Sequence, residues 1–235
     1  LFQLRNYQMS KLFGCQFKSY SSVFNAKAKP KAPQEPESPN PPQPLTPEDN
    51  EGNYYWFGKN IMRNGIMYLM GEVEDESVQP IIMAIMEYNL MAKEDQPSKL
   101  ILFINSPGGF VSAAYHLIDT IKQSTIPVVT IGTGEVASAG VMLLMSGTKG
   151  NRFITENCSV MSHQFSRGVV GKEHEIAAAS KDFQLDSARM LSHYRKCTGK
   201  SVAYIRKHLL QQSDCFFSPD EAIVHGIVDE VIKNP

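Results

Sequence analysis

Beyond residue 53 the chain alternates between short, dense apolar runs and longer stretches whose apolar residues recur at helical spacing. Ile66–Leu69 reads as a first strand. Ser77 reads as the cap of a helix running to about Ala92, because Val78, Ile81, Ile82, Ile85 and Met86 fall at intervals of three and four and so share one face. Leu100–Ile104 is a second apolar strand, cut off by Asn-Ser-Pro-Gly-Gly, and Val111–Gln123 is an expected helix. Val128–Ile131 predicts a third buried strand that ends at Gly132-Thr133-Gly134. An apolar helix, Val141–Ser146, follows. Short strands near Phe153 and Val160 lead to His163. A long helix spans about Glu173–Cys197 and stops at Gly199, a residue that accepts the left-handed conformation of a helix C-terminus. Helices at about Val202–Gln211 and Pro219–His225 precede a last strand, Ile227–Val231.

Strands and helices alternating through short connections imply an α/β fold with a mostly parallel sheet covered by helices. In such sheets ligands gather at the carboxyl ends of the strands. Two glycine-rich turns, Asn105–Gly109 and Gly132–Gly140, fall at those ends.

The first 53 residues follow a different pattern. Residues 1–29 hold Arg5, Lys11, Lys18, Lys27 and Lys29, several serines and no acidic residue. That composition fits an organelle targeting peptide, with a basic tail as the plainer alternative. Eight prolines lie between Pro30 and Pro47, so residues 30–53 read as an extended linker. The folded domain is then expected over residues 54–235.

Charge narrows the function classes. Lys and Arg total 23 and Asp and Glu total 24, which gives no reason to expect nucleic acid or an anionic surface as a partner. No apolar run reaches the roughly 20 residues needed to cross a bilayer as a helix. The cysteines, Cys15, Cys158, Cys197 and Cys215, form no C-x-x-C pair and no zinc-like spacing with histidine, so they read as ordinary thiols. Neither a metal nor a cofactor is expected.

Four places carry candidate chemistry. Ser138 lies among Ala137, Ala139 and Gly140, after a strand and before an apolar helix. Small neighbours admit a substrate backbone, and a helix start supplies free N–H groups for an oxyanion. The plainer reading of Ser138 is a helix cap. Gly108-Gly109 allows positive φ and close approach of another backbone, with the N–H groups of Gly109 and Phe110 available to a carbonyl oxygen. The same pair also suits a simple tight turn. His163 is the candidate general base, in competition with His116, His174, His193, His208 and His225. His174 and His193 are expected to be exposed on the long helix. Asp214 precedes Phe216-Phe217, which would shield a carboxylate–imidazole bond. The alternative is a cap on the helix near Pro219, a position that Asp220 suits better.

Six segments, in order, resemble the Clp protease proteolytic subunit. They are INSPGG (Ile104–Gly109), GEVASAG (Gly134–Gly140), GTKGNRF (Gly147–Phe153), NCSVMSHQ (Asn157–Gln164), TGKS (Thr198–Ser201) and FFSPDEA (Phe216–Ala222). The resemblance runs from about Tyr54 to Val231. It implies a crotonase-like ββα superhelix with a protruding handle helix and a disordered N-terminal extension. It puts the nucleophile on Ser138, the base on His163, the third triad member on Asp214, and the oxyanion hole on the N–H groups of Gly109 and Ala139. It further implies seven-membered rings of identical or homologous subunits, stacked in pairs around a chamber that an AAA+ unfoldase supplies with unfolded polypeptide. With the N-terminal segment, it implies an organelle matrix, the mitochondrion ahead of the plastid. Ala139 stands where the family usually has Met, Leu209–Asp214 is longer than usual, and the N-terminal segment does not resemble the family's axial loop. Two rival readings remain at this point. One is a non-catalytic ring or scaffold subunit. The other is a different crotonase-type enzyme acting on acyl-CoA.

Overall fold

The structure is a computed structural model, and it describes residues 64–233. The targeting segment, the linker, the expected domain start at Tyr54 and Cys15 lie outside the described residues. The elements in chain order are β1 (Ile66–Met70), α1 (Asp75–Leu90), β2 (Leu100–Ser106), α2 (Val111–Gln123), β3 (Val128–Ala137), α3 (Ala139–Ser146), β4 (Arg152–Thr155), β5 (Ser159–Ser162), α4 (Glu173–Thr198), α5 (Val202–His208), β6 (Cys215–Phe217), α6 (Pro219–His225) and β7 (Glu230–Ile232).

Five strands make a parallel sheet in the order β1-β2-β3-β4-β7. Leu100, Ile101, Leu102 and Ile104 of β2 are all buried, as expected of a parallel strand with both faces covered. Strand β3 does not end at Gly132-Thr133-Gly134. Thr130–Gly132 pair with β4, and Glu135–Ala137 then pair with β5. Gly134, at φ 61°, makes the bend between the two partners, and the register against β2 shifts at the same place. The Asn105 side chain fills the kink, its Oδ1 accepting from the Glu135 N–H at 3.2 Å. The glycines thus bend the strand where the sequence suggests a stop. A three-residue strand, β6, pairs antiparallel with β5 and is too short to stand out in the residue pattern.

All eight residues of α3 are buried, which explains its lack of polar positions. Helix α1 starts at Asp75, ahead of the expected cap. Ser77 is its third residue, and the Ser77 hydroxyl accepts from the Glu74 N–H at 3.1 Å. Helix α4 is exposed along its first half and enters the core only at Met190, His193, Tyr194 and Thr198. Gly199 ends it at φ 71°, as its sequence position suggests.

His193 departs from expectation. It is 3% exposed, not a surface residue. Its Nε2 lies 2.9 Å from the Met142 carbonyl of α3, and the Lys122 Nζ at the end of α2 lies 3.3 Å from its Nδ1. An ammonium only donates, so Nδ1 accepts and Nε2–H donates to Met142. Burial pushes the imidazole pKa down to about 4. Position on a charged helix misleads here because His193 belongs to the inward half of that helix.

Near the C-terminus, the buried Arg152 guanidinium pairs with Asp229 at 2.5 Å and donates to the carbonyls of Cys197 and Gly226 at 3.0 and 3.1 Å. One side chain therefore joins β4, the end of α4, and the turn leading to β7. Asp229 also accepts from the Gly150 N–H at 2.7 Å, and its bonds with Arg152 hold its carboxyl below the ordinary range despite burial. Burial pushes the Cys158 thiol up to about 12 and the Cys197 thiol up as well, which disfavours the nucleophilic thiolate at both.

Candidate active site

Ser138 sits at the corner between β3 and α3 with φ 52°, the one positive φ at a non-glycine residue among those described. Two backbone bonds hold it there. Its N–H donates to the Met161 carbonyl of β5 at 2.8 Å, and its carbonyl accepts from the Val141 N–H at 3.0 Å. It occupies the cap position of α3, but its side chain does not cap the helix. Instead its Oγ lies 2.8 Å from His163 Nε2. A serine held at positive φ, with ψ −118°, between strand and helix stores strain of about 1–3 kcal/mol.

Strand register explains how His163 and Asp214 meet. Strands β5 and β6 are antiparallel, with Ser162 opposite Cys215. The next residue along β5 is His163, and the one before β6 is Asp214, so the two face each other at the end of the ladder. Asp214 Oδ1 lies 3.2 Å from His163 Nδ1. The parallel pairing of Ala137 with Met161 brings Ser138 to the same end. Three side chains far apart in sequence therefore converge because one short strand, β5, pairs with both β3 and β6.

The aromatic shield expected over Asp214 is not there. The Asp214 side chain is 53% exposed and Phe216 is 69% exposed. Phe216 points outward because residues alternate faces along β6. Asp220 is not the cap of α6 either; that role falls to Ser218, whose Oγ accepts from the Glu221 N–H.

The double glycine serves close packing. Gly108 has φ 102°, and a Cβ there would stand 2.7 Å from Ser138 Cβ. Gly109 has φ 150°, and a Cβ there would stand 2.4 Å from the Val73 carbonyl oxygen. Val73 bridges this turn by donating to the Gly108 carbonyl and accepting from the Phe110 N–H, both at 2.7 Å. The Phe110 amide is thereby occupied, contrary to the expectation that it faces a substrate carbonyl. In a parallel bridge of this kind the central residue's own N–H points away from the bridging strand, so Val73 does not take up the Gly109 amide. Ala139 opens α3 and, as a first-turn residue, has no acceptor within its helix.

A groove of about 610 Å³ opens beside Gly109, with Phe110, Tyr115, Phe165, Arg167 and Arg189 among its walls. The Phe165 ring packs at a tilt against Phe183 of α4, centroids 4.6 Å apart, and Arg167 pairs with Asp182, so the segment after His163 lies against α4. Among the described residues, no group of three or more His, Cys, Asp or Glu side chains converges as a metal ion requires. No helix among them is long and apolar enough to cross a membrane.

Comparison with known proteins gives a consistent result. The family model described as Clp protease matches residues 49–235. The ATP-dependent Clp protease proteolytic subunit 2 of Corynebacterium diphtheriae is 35% identical over 176 residues, covering 75% of this chain and 86% of that protein. Proteolytic subunit 1 of Corynebacterium jeikeium is 34% identical over 176 residues, covering 75% of this chain and 91% of its own length. Proteolytic subunit 2 of Corynebacterium glutamicum is 35% identical over 172 residues, covering 73% and 83% respectively. These relatives are bacterial, which overturns the expectation of a mitochondrial or plastid destination. The error has a plain source. A basic, acid-free composition marks any cationic segment and does not by itself encode an address.

Proposed function

We propose that this chain, which belongs to the Clp protease family, is a serine endopeptidase subunit that cuts polypeptide by acyl transfer to Ser138. The observation that carries this reading is the unbroken relay from Ser138 Oγ to His163 Nε2 at 2.8 Å and from His163 Nδ1 to Asp214 at 3.2 Å. Asp214 accepts from Nδ1–H and so fixes the tautomer in which Nε2 carries the lone pair. Nε2 takes the hydroxyl proton as Oγ attacks the scissile carbonyl. The N–H groups of Gly109 and Ala139, together with the N-terminal end of α3, stabilise the oxyanion. The imidazolium then protonates the departing amine, and water releases the acyl group by the same steps in reverse. No cofactor takes part.

The positive-φ backbone at Ser138 favours this reading over a non-catalytic subunit, because a scaffold gains nothing from a strained serine aimed at an imidazole. Family membership supports a proposal for the assembly as well. Seven subunits form a ring, two rings stack through the exposed half of α4, and an AAA+ unfoldase delivers unfolded polypeptide to the enclosed chamber. Ser138→Ala is expected to abolish hydrolysis of an unstructured protein while leaving the assembly mass unchanged by native mass spectrometry. Retained cleavage by that variant would overturn the assignment.

A further inference from the structure

Three successive backbone carbonyls, at the C-cap of α5 and the two residues after it, each receive a donor from a residue beside His163. The Leu209 carbonyl accepts from Ser162 Oγ at 2.8 Å, that of Leu210 from Gln164 Nε2 at 2.9 Å, and that of Gln211 from the Gln164 N–H at 3.3 Å. Carbonyls at a helix end have no partner within the helix and need one from elsewhere. Here the partners straddle the imidazole-bearing residue, and Asp214 follows three residues later. The segment that carries the carboxylate is therefore tied to the segment that carries the base by more than the β5–β6 ladder.

Ser162 is the buried member of this clamp. It is 0% exposed, and its Oγ also lies 2.8 Å from the hydroxyl of Tyr194, which is 1% exposed on the inward half of α4. A serine has one hydroxyl proton. Since that proton goes to the Leu209 carbonyl, the Tyr194 phenol must be the donor to Ser162 Oγ. The bonds then run in one direction, from Tyr194 O–H to Ser162 O–H to the Leu209 carbonyl, all away from water.

We infer that Ser162, held by Tyr194, is a positioning residue that sets Asp214 against His163 and couples α4 to the catalytic relay. This inference rests on the proposed Ser138–His163–Asp214 chemistry. Ser162 touches no reacting atom. It acts by fixing the helix end from which the Asp214 segment departs. That segment needs such a fixture because Asp214 is half exposed and its own side chain is not enclosed.

The test compares Ser162→Thr with Ser162→Val in the full chain. The two new side chains have nearly the same shape and differ in the hydroxyl, so packing is held constant. Hydrolysis of a short fluorogenic peptide gives kcat and KM. The Thr variant should retain most of kcat. The Val variant should lose about tenfold to a hundredfold in kcat, the cost of a misplaced catalytic group, with KM changed by less than about twofold. Equal kcat for the two would overturn the inference. Should neither variant fold, Tyr194→Phe removes the first donor alone; a several-fold drop in kcat at unchanged KM supports the coupling, and an unchanged kcat refutes it. Failure of the underlying reading shows separately, as wild-type protein whose Ser138 does not react with a fluorophosphonate.

Discussion

Acidification should weaken this fold through one buried imidazole. His193 is 3% exposed, with burial the main cause of its depressed pKa and the ammonium of Lys122 a further one. Lys196 acts in the same direction, the Met142 carbonyl and Asp119 oppose it, and Cys197 Sγ lies 3.8 Å from Nδ1. Above pH 6.5 both the folded and the unfolded chain hold this ring neutral. As pH falls from 6.5 toward about 4, the unfolded chain takes up a proton that the folded chain refuses, so stability drops. The loss is about 2 kcal/mol at pH 5 and roughly 3 kcal/mol once pH is below the folded value. His193→Gln is the matched control, since an amide can donate to the Met142 carbonyl and accept from Lys122 without titrating. Guanidinium unfolding of both proteins at pH 7.5 and pH 5, at one fixed protein concentration, gives the comparison, because an assembling protein's stability depends on concentration. Carboxylates that titrate in both proteins, such as Asp229, cancel in the difference. The wild type should lose about 2 kcal/mol more than the variant between these two pH values. Equal losses would refute the argument that His193 stays neutral because it is buried.

Two further substitutions test the packing around the site. Gly108→Ala should cut hydrolysis by at least about a hundredfold, because its Cβ would press on Ser138 Cβ at 2.7 Å; the kcat of the purified variant checks this. Arg152→Met should destabilise the fold by about 3–5 kcal/mol, since it removes the one positive charge paired with the Asp229 carboxylate, leaving that group only backbone N–H donors, and takes the guanidinium donor from two carbonyls; chemical denaturation measures it, and a change under about 1 kcal/mol contradicts it.

Much of the architecture could be read from the residues, and the failures have physical causes. Val111–Gln123 and Pro219–His225 were expected with the bounds they have, because their flanking signals are local. Strand β3 was cut short because Gly134 looks like a terminator when its real effect is to bend the strand between two partners. Strand β6 is invisible in the sequence because three residues carry no period, yet its register against β5 is what brings Asp214 to His163. His193 reads as a surface residue because the helix around it is charged, and only the tertiary fold shows which half turns inward. The Ser162–Tyr194 bond joins residues 32 apart in sequence, with no local signal to reveal it. Ser138, His163 and Asp214 were legible through ordered family motifs; composition and spacing alone left each with a plainer reading.

The most direct test is reaction of the intact protein with a fluorophosphonate, with the adduct located by peptide mass spectrometry. One adduct is expected, on Ser138, and its rate of formation should collapse in His163→Ala. An adduct on another residue, or undiminished labelling of Ser138 in that variant, would contradict the relay.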